Sequence, residues 1–206
     1  MGKIDYKKEL KHLYKPLSKK VEIVDVPQLN FLMIDGLGDP INSQSFQDAV
    51  EALFSLSYTI KFIIKKGDIG VDYGVLPLEG LWWADDMTVF TSGKKDQWKR
   101  TLMIMQPELV TEKIIAESIE QLKKKKNPVA LSKIRFEALC EGKCAQIMHI
   151  GPFSEEGPTV EKVHNFIEDS GFIRSGKHHE IYLSDIRKAA PEKWKTIIRQ
   201  PIRIKG

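Results

Sequence analysis

Two passages of this chain nearly restate each other, and that duplication limits the folds open to it. Trp98-Lys99-Arg100-Thr101-Leu102-Met103-Ile104-Met105-Gln106-Pro107 resembles Trp194-Lys195-Thr196-Ile197-Ile198-Arg199-Gln200-Pro201. Upstream of each Trp a glutamate stands inside an apolar strand, Glu79 ahead of Leu81-Trp82-Trp83 and Glu180 ahead of Tyr182. Further upstream, Ile34-Asp35-Gly36 and His149-Ile150-Gly151 each lead through a turn into a helix. Chance supplies single matches of this kind; their shared order argues for one strand-helix-strand-strand unit used twice. The expected fold class is α+β. Two pseudo-symmetric repeats would place their helices on one side of a curved antiparallel sheet, with a ligand cleft between the halves.

The pattern of apolar residues places the elements. Residues 1–20 form a Lys-rich arm or short helix with Leu10, Leu13 and Leu17 as a weak stripe. A single domain over 21–206 follows, with repeat one at about 21–110, a linker helix at about 111–127 and repeat two at about 128–206. In repeat one, Phe46, Val50, Leu53, Phe54, Ile60 and Ile64 recur at helical intervals up to Gly67, with Asn42 or Ser45 as the cap. In repeat two, Ile134–Cys140 and Cys144–Ile150 read as a hairpin turning at Glu141-Gly142-Lys143, before a helix opened by Pro158. The Gly-rich turn Asp35-Gly36-Leu37-Gly38 lacks the endings and spacings of phosphate-binding loops.

Composition excludes more than it suggests. Lys plus Arg exceed Asp plus Glu by 32 to 28, a net charge of +4, and the densest run, Lys123–Lys126, suits a helix C-terminus. Nucleic-acid binding would want a larger patch with interleaved aromatics, so no nucleic-acid partner is expected. No stretch has the ~18 apolar residues of a membrane helix, and the N-terminus lacks the apolar core of a signal peptide. Cys140 and Cys144 alone make neither a zinc site nor a disulfide framework. A cytoplasmic protein with no metal, no cofactor and no membrane partner is the expectation; the oligomeric state is open.

The chemistry concentrates on Lys177-His178-His179-Glu180-Ile181-Tyr182-Leu183-Ser184-Asp185. Alternation makes it a strand with Ile181 and Leu183 on one face and Glu180 and Tyr182 toward the other. A solvated sheet face is the common place for a lone Glu. Burial would instead require a proton, a cation or a chemical role. Trp82 and Trp83 are adjacent, so one faces the core and the other a groove; such a wall stacks on flat ligands and attracts cations at ~0.5–2 kcal/mol per contact. Tyr73, Phe153 and His149 are weaker ligand-binding candidates. His178 and His179 cannot both face one site on a regular strand.

Ile147-Met148-His149-Ile150-Gly151-Pro152-Phe153, Glu180-Ile181-Tyr182-Leu183-Ser184-Asp185 and Pro77-Leu78-Glu79-Gly80 together resemble the GyrI-like small-molecule-binding proteins, which share a duplicated fold with the SOUL haem-binding proteins. The resemblance spans about residues 21–206. It implies that the acidic residue of the Glu-x-Tyr strand sits at the base of an aromatic cleft that receives lipophilic, often cationic, molecules. Some members are effector domains of transcription regulators, but the roughly 20 residues ahead of this domain are too few for a helix-turn-helix. Stand-alone members hydrolyse the strained cyclopropane of DNA-alkylating compounds. No haem signal is present. The resulting expectation is a protective, cofactor-independent hydrolase in which Glu180, helped by Glu79, activates a water while Tyr182, Trp82 and Trp83 hold a planar substrate. The alternatives are a non-catalytic drug- or toxin-sequestering protein and a topoisomerase-inhibitor-like interaction protein.

Overall fold

A computed structural model of the chain describes residues 2–40, 43–86 and 95–205. Its first elements are α1 (Tyr6–Glu9), α2 (Lys11–Tyr14), β1 (Glu22–Val26), β2 (Leu29–Leu37), α3 (Gln44–Lys66), β3 (Leu78–Trp83) and β4 (Lys99–Gln106). They are followed by α4 (Glu112–Lys125), β5 (Arg135–Leu139), β6 (Gly142–Ile150), α5 (Gly157–Asp169), β7 (Phe172–Arg174), β8 (His178–Tyr182) and β9 (Lys195–Ile204). The α+β class is as expected. The chain forms two compact units: Met1–Tyr6, Leu29–Leu78 and Trp83–Leu139 make the first, and Lys7–Gln28, Glu79–Trp82 and Cys140–Gly206 make the second.

In the first unit β2 is the central strand, antiparallel to β4 on one side (Ile34 opposite Leu102) and to β5 on the other (Phe31 opposite Glu137). Helix α3 lies on β2 and β4 because Ala49, Leu53, Leu56, Ile60 and Ile64 recur every three or four residues and are buried. Its cap is Ser43, whose Oγ accepts from the Phe46 amide at 3.3 Å. Of the two expected caps, Asn42 lies outside the described residues and Ser45 falls inside the helix. Helix α4 is capped by Thr111 and ends before Asn127, which takes a left-handed φ of 44° ahead of Pro128. Read from sequence as a linker, α4 packs on α3 within this unit.

The expected hairpin between 134–140 and 144–150 does not form: β5 pairs with β2, and β6 pairs with β1 and β9. Two interactions account for the change. Arg135 of β5 forks onto Asp35 of β2 at 2.7 and 3.1 Å. Glu141, read from sequence as a hairpin-turn residue, has its side chain buried against His179 and Arg199 and so draws the chain away after Leu139.

The second unit has the strand order β1-β6-β9-β8-β3, with β7 paired to the end of β9 (Phe172 opposite Ile204). Register fixes its two faces. Ile147, Ile198 and Glu180 are successive cross-strand partners, as are His149, Thr196 and Tyr182. Side chains alternate along each strand, so these six share one face and Gln146, Arg199 and His179 take the other. Helix α5 covers the first face, where Val163 and Ile167 pack with Ala145, Ile147, Ile198 and Ile202. The second face meets the N-terminal arm. Arg199 donates to the Leu13 carbonyl at 2.7 Å and Gln146 to that of His12 at 2.7 Å.

The duplicated Trp residues occupy equivalent places in their own units. Each follows a single 3₁₀ turn (Lys95–Gln97 and Pro191–Lys193) and opens the last strand of its repeat. Trp98 accepts from the Gly38 amide at 2.8 Å and Trp194 from the Gly151 amide at 3.0 Å. Both glycines stand just after the strand that precedes the main helix of their repeat (β2 and β6) with positive φ, 91° and 142°. No helix among the described residues is long and apolar enough to cross a membrane.

Candidate functional site

Strand β8 carries a different polar group on each face, and alternation separates them. On the face covered by α5, the Trp82 indole donates to the Tyr182 hydroxyl at 3.0 Å, which donates to Glu180 Oε2 at 2.7 Å. The other carboxylate oxygen meets His178 Nε2 at 3.2 Å. Gly80 makes this relay possible, since a Cβ there would stand 2.8 Å from Trp82 Nε1 and 3.0 Å from Tyr182 Oη. The Glu180 side chain keeps 18% of its exposure, so it is reachable and yet held. Burial, then the charge of Glu180, pushes the Tyr182 phenol well above its ordinary pKa, so Tyr182 remains a donor.

Phe153, at the turn before α5, sets its ring edge-on to Tyr182 at 5.6 Å and against Trp194 at 5.0 Å. Three residues later Glu156 turns inward. It is buried, and its Oε1 has no hydrogen-bond partner among the described residues. Burial raises its pKa to about 8, assisted by the negative charge of Glu180 and offset in part by the neighbouring Thr196 hydroxyl. His149 lies on the same face, buried, with Nδ1 against Thr159 Oγ1 at 2.9 Å and Nε2 unpaired.

The opposite face of β8 holds a closed ion network. His179, fully buried, meets Glu79 at 2.9 Å through Nε2 and Glu141 at 3.0 Å through Nδ1. Tyr14 of α2 donates to Glu79 at 2.8 Å, and Arg199 reaches Glu141 at 3.4 Å and Gln146 at 3.1 Å. Burial opposes the imidazolium, but Glu141 and then Glu79 overcome it and lift His179 to about 9. Burial likewise works against the Glu141 carboxylate, and His179 with Arg199 reverses that and holds its pKa below the usual value.

The sequence candidates therefore divide. Glu180, Tyr182, Trp82 and Phe153 come together. Glu79 does not stand opposite Glu180: Trp82 sits three residues along β3, on the other face of the strand, so the partner that places Trp82 beside Tyr182 turns Glu79 toward His179. Trp83 is half-buried and belongs to the first unit. Tyr73 also belongs there, buried and edge-on to Tyr6 at 6.0 Å. His178 and His179 face opposite ways, as alternation requires. Tyr14, Glu141, His179, Arg199 and Glu156 were missed. Glu156 stands where a helix cap is usual, ahead of Gly157-Pro158, and makes no capping bond; a long acid at that position was the one available signal.

Among the described residues no set of three or more His, Cys, Asp or Glu side chains is arranged to hold a metal ion. A surface depression of about 380 Å³ lies on the outer side of α5, lined by Pro158, Glu161, Lys162 and Phe166, and touches none of the groups around Glu180.

Residues 19–203 match the family described as the GyrI-like small molecule binding domain. The fold is similar to that of an uncharacterized conserved protein from Listeria innocua, with 45% identity, a TM-score of 0.90, and coverage of 98% of this chain and 100% of that one. A Listeria innocua protein described as a hydrolase is 44% identical with a TM-score of 0.85, again covering 98% and 100% of the two chains. The C-terminal domain of EcmrR, 12% identical with a TM-score of 0.56 over 90% of this chain and 98% of that one, shares the fold. No curated protein matches the sequence.

Proposed function

The chain belongs to the GyrI-like small-molecule-binding family, and from that premise we propose that it binds lipophilic aromatic compounds beside Glu180 and hydrolyses strained electrophiles among them, protecting the cell that makes it. A cyclopropane conjugated to a carbonyl is the type of substrate intended. The observation that carries the reading is the Trp82–Tyr182–Glu180 relay, which fixes one half-open carboxylate beside aromatic rings. The description of a 44% identical protein as a hydrolase is in keeping with it.

In this mechanism Glu180 takes a proton from water as the water oxygen bonds to the ring carbon and the ring C–C bond breaks, its electrons moving to the conjugated carbonyl. Tyr182, whose raised pKa keeps its proton in place, orients the carboxylate. Phe153, 40% exposed, offers its ring to the planar body, while the buried Trp82 holds Tyr182 in place. Glu79, bound to His179 and Tyr14, serves the strand framework instead of the water.

Glu180→Gln keeps the side-chain shape and removes the proton acceptor. Turnover of a carbonyl-conjugated cyclopropane is expected to fall ~10²–10⁴-fold while affinity for a neutral aromatic ligand stays level. Undiminished turnover by the variant would remove Glu180 from the chemistry. Absence of turnover in the wild type, with loss of affinity for a cationic dye in Glu180→Gln, would make the protein a binder that uses Glu180 as counter-ion.

A further inference from the structure

Glu156 is a buried acid of the second unit that neither the mechanism above nor the His179 ion network uses. Its place is set by backbone: its amide donates to the Phe153 carbonyl at 3.2 Å, and its own carbonyl accepts from Thr159 and Val160 as α5 begins. The side chain does not cap that helix. It enters the covered face, where Tyr182, Thr196 and His149 form one cross-strand row. The residue is only 7% exposed and its Oε1 is unpaired; Nε2 of His149 is likewise buried and unpaired, and the Thr196 hydroxyl lies beside the carboxyl. An acid so placed, within electrostatic reach of Glu180 and Tyr182, is costly unless it carries a proton or meets a ligand atom.

We propose that Glu156 is the general acid of the site and holds a proton in the resting protein, so that Glu156 and Glu180 form an unequal carboxyl pair. The inference rests on the hydrolytic reading above and assigns its second proton transfer. Water oxygen bonds to the ring methylene as Glu180 removes a water proton. The ring C–C bond breaks, its electron pair moves through the conjugated system to the carbonyl oxygen, and Glu156 gives that oxygen its proton. Water is thereby added with its OH on the methylene carbon and a proton on the carbonyl oxygen, leaving Glu180 protonated and Glu156 ionised. Transfer of the proton from Glu180 to Glu156 restores the starting state with no other reactant.

The first repeat shows why one such site exists in the chain. The position equivalent to Thr196, two residues after the duplicated Trp, is Arg100. Arg100 is buried, donates to the Leu37 and Gly38 carbonyls and to Ser45 at the start of α3, and stacks on Phe46 at 5.4 Å. In the first unit a guanidinium fills the place by the helix start. In the second a short Thr leaves it to Glu156.

The groups acting on Glu156 are Glu180 and Tyr182 of β8 and Thr196 of β9, and of these Glu180 supplies the negative charge. Two measurements test the assignment. Side-chain carboxyl ¹³C resonances, followed from pH 4 to 10, should include one that titrates near 8, disappears in Glu156→Gln and moves down in Glu180→Gln. A Glu156 that titrates in the ordinary carboxylate range overturns the proposal, whether or not the wild type has activity. In kinetics with a carbonyl-conjugated cyclopropane, wild-type kcat/KM should fall as pH rises through about 8. Glu156→Gln should lose that limb and be slower by ~10²-fold or more. The deficit should shrink for substrates whose conjugated carbonyl yields a less basic enolate oxygen, which a merely structural role would not produce. A variant equally impaired on substrates of every enolate basicity, or with the wild-type pH profile, also overturns it. A wild type that turns over no such compound overturns the hydrolytic reading, and the general-acid role with it, even if Glu156 titrates near 8.

Discussion

At the scale of residues, His179 and Glu156 are both buried ionisable groups, and the same alkaline range affects both for opposite reasons of charge. His179 rises from an ordinary 6.5 to about 9 in the folded protein. Its stabilisation is complete below pH ~6.5 and is lost as pH climbs through about 9, because the folded state holds a proton that the unfolded chain has released. Glu141, held low by His179 and Arg199, contributes above the ordinary carboxylate value and loses that contribution on acidification. Glu156 rises from 4.5 to about 8, so the unfolded chain ionises first and stability declines between those values. Substitution separates the two. His179→Gln leaves Glu79 buried without a cation and Glu141 with Arg199 alone, and should cost ~3–5 kcal/mol near pH 6.5, with a smaller loss near pH 9.5. Glu156→Gln should have the reverse sign near pH 9.5, unfolding at higher urea concentration than the wild type. Urea titrations of the three proteins at the two pH values check this. An equal cost of His179→Gln at both would mean that the imidazole acts by packing alone.

At the scale of elements, β8 shows what a pattern of residues can and cannot disclose. Alternation alone puts His178, Glu180 and Tyr182 on one face and His179 and Ile181 on the other, and the hydrogen bonds follow that division. What covers each face depends on pairings distant in sequence. Tyr14 reaches Glu79 across 65 positions and Arg199 reaches Leu13 across 186, and no local pattern encodes either. The hairpin reading of 134–150 failed for the same reason: the local signal for a turn at Glu141-Gly142 is sound, since Gly142 has φ 64°, but an ion pair with His179 and Arg199 decides where Glu141 goes. Amphipathic helices were easier, because burial needs only a stripe at helical spacing. The α5–β6–β9 core, centred on Ile198 with 0% exposure, should be correspondingly sensitive. Ile198→Ala is expected to cost ~2–5 kcal/mol in urea unfolding with an unchanged m-value, and a cost under ~1 kcal/mol would show that the site collapses around the smaller residue.

At the scale of the whole molecule, duplication in sequence does not mean two independently built halves. The repeat was legible because Trp98 and Trp194 each anchor a glycine amide through the backbone, a role that a side-chain comparison can detect. The division into compact units was not legible, because the second unit takes residues Lys7–Gln28 and Glu79–Trp82 from the first part of the chain. Those segments supply β1, Tyr14, Glu79 and Trp82. Without them Gln146 loses Glu22 and the His12 carbonyl, Arg199 loses the Leu13 carbonyl, His179 loses Glu79, and Tyr182 loses its indole donor. Several buried polar groups would then be unpaired at once, at ~1–3 kcal/mol each, against a total stability of only ~5–15 kcal/mol for a domain. A fragment of residues 128–206 should therefore be unfolded on its own, with a collapsed amide spectrum and no cooperative thermal transition, although it contains the whole second repeat. The full chain, measured beside it, should show dispersed amides and cooperative unfolding. A folded, cooperatively melting 128–206 fragment would show that α5 and the Ile198 core suffice, and that the contributed segments complete the site without being needed for the fold.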